Sequence, residues 1–261
     1  MRSLDIAGTG MLAQQTNVEV ISNNIANMTT TGFKRRRAEF QDLLYENMRR
    51  VGSNTSDNGT VVPAGAQVGL GVKTAAIYRI DEQGNLQQTS NSLDVAIRGN
   101  GFFQVTLPTG ETAYTRDGTF GLSPDGQIVT SDGFAVAPGI TIPPNAKDVT
   151  ISADGQVQVK IDGQTAPQTV GTLQLAAFPN NAGLEAQGEN LFLATAASGN
   201  AVTGQPSSPG FGSVMQGAVE TSNVNVVTEI TNLITAQRAY EMNSRVITTS
   251  DQMLSTLTNL R

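Results

Sequence analysis

The sequence predicts an α+β fold in which a long helix at each end of the chain pairs into a coiled-coil α domain, with a central all-β domain and an extended connector between them. Three observations carry this prediction. Gly and Pro avoid both ends, heptad repeats run along both ends, and Asp-Gly dipeptides recur through the middle. Because Gly and Pro break helix interiors, their distribution divides the chain into zones. All ten Pro lie between Pro63 and Pro209. Of the 27 Gly, only Gly8, Gly10 and Gly32 precede residue 51, and none follows Gly217.

The first element covers roughly residues 3–30. Leu4, Met11, Val18 and Ile25 form one heptad line, and Ala7, Gln14, Ile21 and Met28 form the other. That 4–3 alternation is the seam of a coiled coil, interrupted only by Gln14. Thr29-Thr30-Thr31-Gly32 follows, three poor helix formers before a residue suited to ending a helix. The last element, about 222–260, repeats the pattern with Val226, Ile230, Leu233, Tyr240, Ile247 and Leu254. Ser222 or Asn223 is expected to cap it. At ~1.5 Å per residue such a helix is on the order of 50 Å long and needs a partner, for which the first helix is the obvious candidate. The apolar heptad positions are therefore the expected helix and polymer interface. Two core helices of one globular domain are the alternative, which fits less well with an unrelated β zone between them.

Short alternating segments fill the middle, among them 94–98, 102–105, 126–130, 157–161 and 172–175, and they read as strands. Asp-Gly at 117–118, 125–126, 132–133, 154–155 and 162–163 supplies turns between them. The intervening ligand positions of a calcium loop are missing, so turn chemistry is the reading. A polar stretch joins the first helix to this zone. The expected segments are 1–45 (helix and turn), 46–67 (extended axial connector), 68–215 (β-rich outer domain) and 216–261 (second helix).

Composition narrows function. Only 38% of residues are hydrophobic and 5% aromatic, so any core is thin and stability is expected to depend partly on neighbours. A net charge of −6 argues against nucleic acid as a partner. Cys and His are both absent, which removes thiolate nucleophiles, Cys-based metal sites and the commonest general base. No cofactor and no metal are expected. No apolar run approaches the ~20 residues that span a bilayer, so direct membrane insertion is not expected. The opening Met1-Arg2-Ser3-Leu4-Asp5-Ile6 lacks the apolar stretch of a secretory signal, so export would use another route.

Few motifs suggest chemistry. An enzyme here would need paired carboxylates, with Asp81-Glu82, Glu185 and Glu189 available, and nothing in the sequence selects a pair. Lys34-Arg35-Arg36-Arg37 is the most basic run, but without aromatics and followed by Asp42 and Glu46 it reads as a solvated face or a salt-bridging contact to a neighbouring subunit. Gly99-Asn100-Gly101 precedes a strand and lacks the Lys of a phosphate loop.

Both ends carry more specific signatures. Ser22-Asn23-Asn24-Ile25-Ala26-Asn27 with Thr31-Gly32-Phe33-Lys34 resembles the N-terminal signature of bacterial flagellar rod and hook proteins. Residues 219–225 and 236–244, the latter including Gln237, Arg238 and Asn243, resemble that family's closing signature. Segments 92–103 and 113–120 resemble its β domain, so the resemblance covers nearly the whole chain. Length, a single β zone and the connector make it most similar to the distal rod members. The resemblance implies terminal helices forming the inner tube of a hollow helical homopolymer that transmits torque and passes exported subunits. It implies an axial connector touching neighbouring subunits and an outward β domain. Implied partners are other rod proteins, the hook, the outer ring bushing and the flagellar type III export apparatus, with a periplasmic rod as the location. A proximal rod or hook protein is the same-class alternative, and a wall-acting carboxylate hydrolase or a free adhesin are alternatives from other classes.

Overall fold

The computed structural model describes residues 2–49, 64–162 and 166–259. They fall into two units: Met1–Ala26, Arg36–Arg79 and Asn225–Arg261 form a helical unit, and Asn27–Arg35 with Ile80–Val224 form a β unit. The α+β class is therefore as expected, with helices at both ends and a β-rich middle. The unit boundaries differ from the expected segments, because residues 66–79 group with the helices and 216–224 with the β unit.

In the helical unit, α1 runs Arg2–Ala26 and α2 runs Val226–Asn259. Neither contains Pro, and α1 tolerates Gly8 and Gly10 only because tertiary packing supports it. The N-cap of α2 is Asn225, whose Oδ1 accepts the Thr228 backbone N–H at 3.2 Å. Ser222 and Asn223, the expected caps, lie ahead of the helix, and Asn223 serves a loop instead. All three are capping residue types, so composition alone could not choose among them. Met28 lies beyond the end of α1 and is exposed.

The same unit holds a two-stranded ribbon. Strands β1 (Arg36–Asp42) and β2 (Tyr45–Arg49) run antiparallel to β3 (Ala66–Gly69) and β4 (Val72–Arg79), as β1 with β4 and β2 with β3. Main-chain bonds at Leu43 and Leu70 carry the ladder across the junction. Ala38 is buried, whereas every residue of β2 is exposed. The expected connector 46–67 thus begins and ends in paired strands; its residues 50–63 lie outside the described residues.

The β unit folds around two apolar clusters on opposite faces of one sheet. In strand Phe102–Thr106 the period-2 alternation sends Phe103 and Val105 to one face and Phe102 and Gln104 to the other. Phe103 joins Val95, Ile97, Val157, Leu175 and others in the larger cluster. Phe102 joins Tyr114, Phe178 and Phe192 in the smaller. Edge-to-face contacts set both, Phe103 to Phe120 at 5.0 Å and Tyr114 to Phe178 at 4.7 Å between ring centres. The expected strands near 94–98, 102–105 and 157–161 are all present, and 172–175 straddles the end of one strand and the start of another.

Candidate functional site

Within the helical unit, α1 and α2 lie side by side and antiparallel. Ser250 Oγ donates to Ser3 Oγ at 3.2 Å, and Asn24 Nδ2 donates to Glu229 Oε2 at 3.3 Å. Between them Gly10 faces Asn243 so closely that a Cβ built on Gly10 would sit 2.8 Å from Asn243 Nδ2. These contacts fall at intervals of one or two heptads on both helices. The facing lines are therefore Ser3, Gly10, Asn17 and Asn24 on α1 and Glu229, Ala236, Asn243 and Ser250 on α2.

The residues of the expected seam differ in burial. Leu4, Met11, Val18 and Ile25 sit one residue, roughly 100°, around α1 from the facing line and are half-buried. Ile21 is buried, and Ala7 with it. On α2, Val226, Leu233, Ile247 and Leu254 are half-buried, while Ile230 and Tyr240 are exposed. The buried residues of the pair therefore mix apolar ones, Ala7, Ile21 and Ala236 among them, with the polar Asn24, Glu229 and Ser250, which hydrophobic periodicity does not find.

The family-signature residues divide accordingly. Asn24 is 1% exposed and uses its amide like a strand neighbour, accepting from the Arg36 N–H and donating to the Arg36 C=O, each at 2.8 Å. Glu229, 4% exposed and absent from the expected site, completes the node. Asn243 occupies the gap over Gly10. Ser22, Asn23, Ala26, Gln237 and Arg238 are exposed, and Asn27 and Phe33 are half-buried.

Within the β unit, the basic run begins inside. Gly32 is buried with φ +66, a conformation that favours glycine, and a Cβ there would lie 2.8 Å from the Asp117 backbone N. Its N–H donates to the Glu220 carbonyl at 2.8 Å. That turn aims Lys34 inward, where Nζ reaches Glu220 Oε1 at 2.5 Å and the Glu82 carbonyl at 2.8 Å. Arg116 Nη1 meets Glu220 Oε2 at 3.3 Å and Nη2 donates to the Gly99 carbonyl. The Gly84 N–H supplies a further donor to Glu220. The expectation of a solvated face or intersubunit contact therefore fails at Lys34, whose partner lies in its own chain. Arg35 pairs with Glu82 and Arg37 with Glu39, both near the surface. Asn223 Oδ1 accepts the Arg35 backbone N–H, which ties the segment preceding α2 to the same loop.

Burial pushes the Lys34 ammonium below the usual lysine range, with the Glu220 carboxylate opposing. The folded value lies below the unfolded one, so between the two the unfolded chain binds more protons and the contribution of Lys34 to stability rises with pH. Below the folded value it is constant. Denaturant unfolding over the alkaline range up to the ordinary lysine pKa near ~10.4 checks this. The unsubstituted chain is expected to gain on Lys34→Met as pH rises, and a falling difference would contradict the sign.

Among the described residues no cluster of three metal-ligating side chains occurs, and no helix is long and apolar enough to cross a membrane. What the geometry offers is two buried polar nodes, one in each unit, Asn24 with Glu229 and Lys34 with Glu220 and Arg116.

Comparison with known proteins agrees. Residues 4–34 match the family model described as flagella basal body rod protein, 96–159 the flagellar hook protein FlgE/F/G D1 domain, and 215–260 the flagellar basal body rod FlgEFG protein C-terminal. Together these define an axial subunit of the flagellar rod and hook class. Full-length similarity narrows it. The chain is 61% identical over 261 residues to the flagellar basal-body rod protein FlgG of Caulobacter vibrioides, covering 100% of both. It is 54% identical to that of Agrobacterium fabrum, covering 98% of this chain and 97% of the relative, and 48% identical to that of Borreliella burgdorferi, covering 100% and 99%. The chain belongs to the FlgG family of flagellar basal-body rod proteins, structural subunits of the distal rod.

Proposed function

We propose that the chain polymerises with itself through its helical unit into a hollow rod, with the paired helices acting as a coiled-coil inner wall and the β unit as the outer coat. The carrying observation is the distribution of exposed apolar side chains. Among the described residues, thirteen of seventeen exposed large hydrophobics belong to the helical unit, the smaller of the two. Monomeric proteins seldom leave such surface uncovered.

Two different patches are involved. One is the face of α2 opposite its seam, with Val227, Ile230 and Ile234 along its first half. The other is the ribbon, where Leu44 is 81% and Met48 67% exposed. Dissimilar patches on one unit suit head-to-tail contacts, which generate open helical polymers, and a self-complementary patch would close a dimer. A two-stranded ribbon is also marginal alone in water, so a neighbouring subunit along its length would stabilise it. Leu4, Met11, Val18 and Ile25 form a further half-buried line available to a neighbour.

In this reading the partners are other copies of the chain, the adjoining rod and hook proteins, and the outer ring bushing. The chain reaches the periplasm through the flagellar type III export apparatus and performs no catalytic step. Electron microscopy of concentrated protein tests the assembly: tubes with a central channel are expected, and a monomer at every concentration contradicts it.

A further inference from the structure

We infer that the polar and small layers between the two terminal helices, Asn24 with Glu229, Gly10 with Asn243 and Ser3 with Ser250, set the sliding register of the helix pair. The flanking apolar lines do not encode it.

A slip affects the apolar and the polar lines differently. Leu233, Tyr240, Ile247 and Leu254 recur every seven residues, as do Leu4, Met11, Val18 and Ile25. Sliding one helix by a heptad, about 10 Å, exchanges one apolar neighbour for another and changes little. The facing layers respond differently. A slip in one direction places Glu229 beyond the end of α1 and sets Asn243 against Asn17 in place of Gly10. In the other direction Glu229 moves to Asn17, Asn24 passes beyond the start of α2, and the gap over Gly10 meets only Ala236. Either slip separates the buried Glu229 carboxylate from Asn24, whose own amide stays bonded to Arg36, and leaving a desolvated carboxylate without that partner is strongly unfavourable. Gly10 and Asn243 act as a steric key, since only glycine leaves room for that side chain at 2.8 Å from the would-be Cβ. Single polar layers fix register in helix pairs by this logic, at some expense in stability.

The consequence rests on the assembly reading. Register sets the height at which the outer apolar face of α2 stands relative to α1 and the ribbon, so a slipped pair would offer neighbouring subunits a displaced surface. Asn24 also holds Arg36 at the start of β1, which joins helix register to ribbon position.

The chain has no Cys, so paired spin labels can be introduced cleanly. Gln15→Cys and Glu241→Cys, both exposed, report the axial offset by pulsed electron paramagnetic resonance on the full chain, diluted into unlabelled chain if it assembles. One narrow distance is expected, and it should persist with Glu229→Gln, which can still bond Asn24. Glu229→Leu with Asn243→Ala is expected to add a second population displaced by about one heptad. Gly10→Ala should do the same while favouring the helix intrinsically, so it covers loss of folding in the double variant. A single unchanged distance in both altered backgrounds, a broad distribution in the unsubstituted chain, or slippage with Glu229→Gln overturns the inference. Micrographs of the same samples report assembly separately: a fixed distance without tubes retires the assembly reading and leaves register assignment standing.

Discussion

Glu220→Gln is expected to destabilise the β unit by about 3–5 kcal/mol, the range for removing one partner of a buried charge pair. The Glu220 side chain is 0% exposed, and those of Lys34 and Arg116 are 3% and 6% exposed. An amide would remove the one carboxylate that both buried cations contact, Lys34 through Oε1 and Arg116 through Oε2. The penalty arises from losing that shared carboxylate and does not measure what the triad contributes over an apolar core. Replacing all three by apolar residues is no simple rescue, because Lys34 and Arg116 also satisfy the carbonyls of Glu82 and Gly99. The exposed pair Lys147 and Asp162 is the control. Both side chains are solvated, at 66% and 72%, so Asp162→Asn should change stability by under ~0.5 kcal/mol. Calorimetry on both variants decides: equal effects would mean that the Glu220 node is not the clamp that its geometry indicates.

Much of this fold was legible because backbone chemistry writes it openly. The absence of Pro at both ends permits helices, and the alternation around Phe102 and Phe103 marks a strand with two buried faces. The polar part of the helix contact was not legible, for a physical reason. Hydrophobic periodicity locates apolar lines, whereas the facing residues are Ser3, Gly10, Asn24, Glu229, Asn243 and Ser250. Asn24 and Asn243 were flagged through the family signature, but their partners Glu229 and Gly10 carry no local signal that they are buried. Lys34 failed for a related reason. Four consecutive basic residues read as solvated, and its anion lies 186 positions away, brought near only by the Gly32 turn and the strand Ala218–Glu220. Signals separated by most of the chain require the fold to be known first.

The second large effect concerns assembly and leaves folding alone. Ile234 stands 46% exposed on the outer face of α2. A charge there meets water in the free subunit, so Ile234→Asp should change its unfolding by no more than ~0.5 kcal/mol beyond the modest helix-propensity difference. In a polymer that buries this face, the same carboxylate would be desolvated without a partner at every repeat, at several kcal/mol each. Leu122→Asp is the matched control: Leu122 is 48% exposed but belongs to the β unit. The most direct measurement is therefore electron microscopy of concentrated Ile234→Asp and Leu122→Asp protein beside the unsubstituted chain, with thermal unfolding of each in dilute solution. Assembly through the helical unit predicts tubes from the unsubstituted and Leu122→Asp proteins and none from Ile234→Asp, with unfolding of Ile234→Asp almost unchanged. Tubes from Ile234→Asp at ordinary concentrations would contradict it.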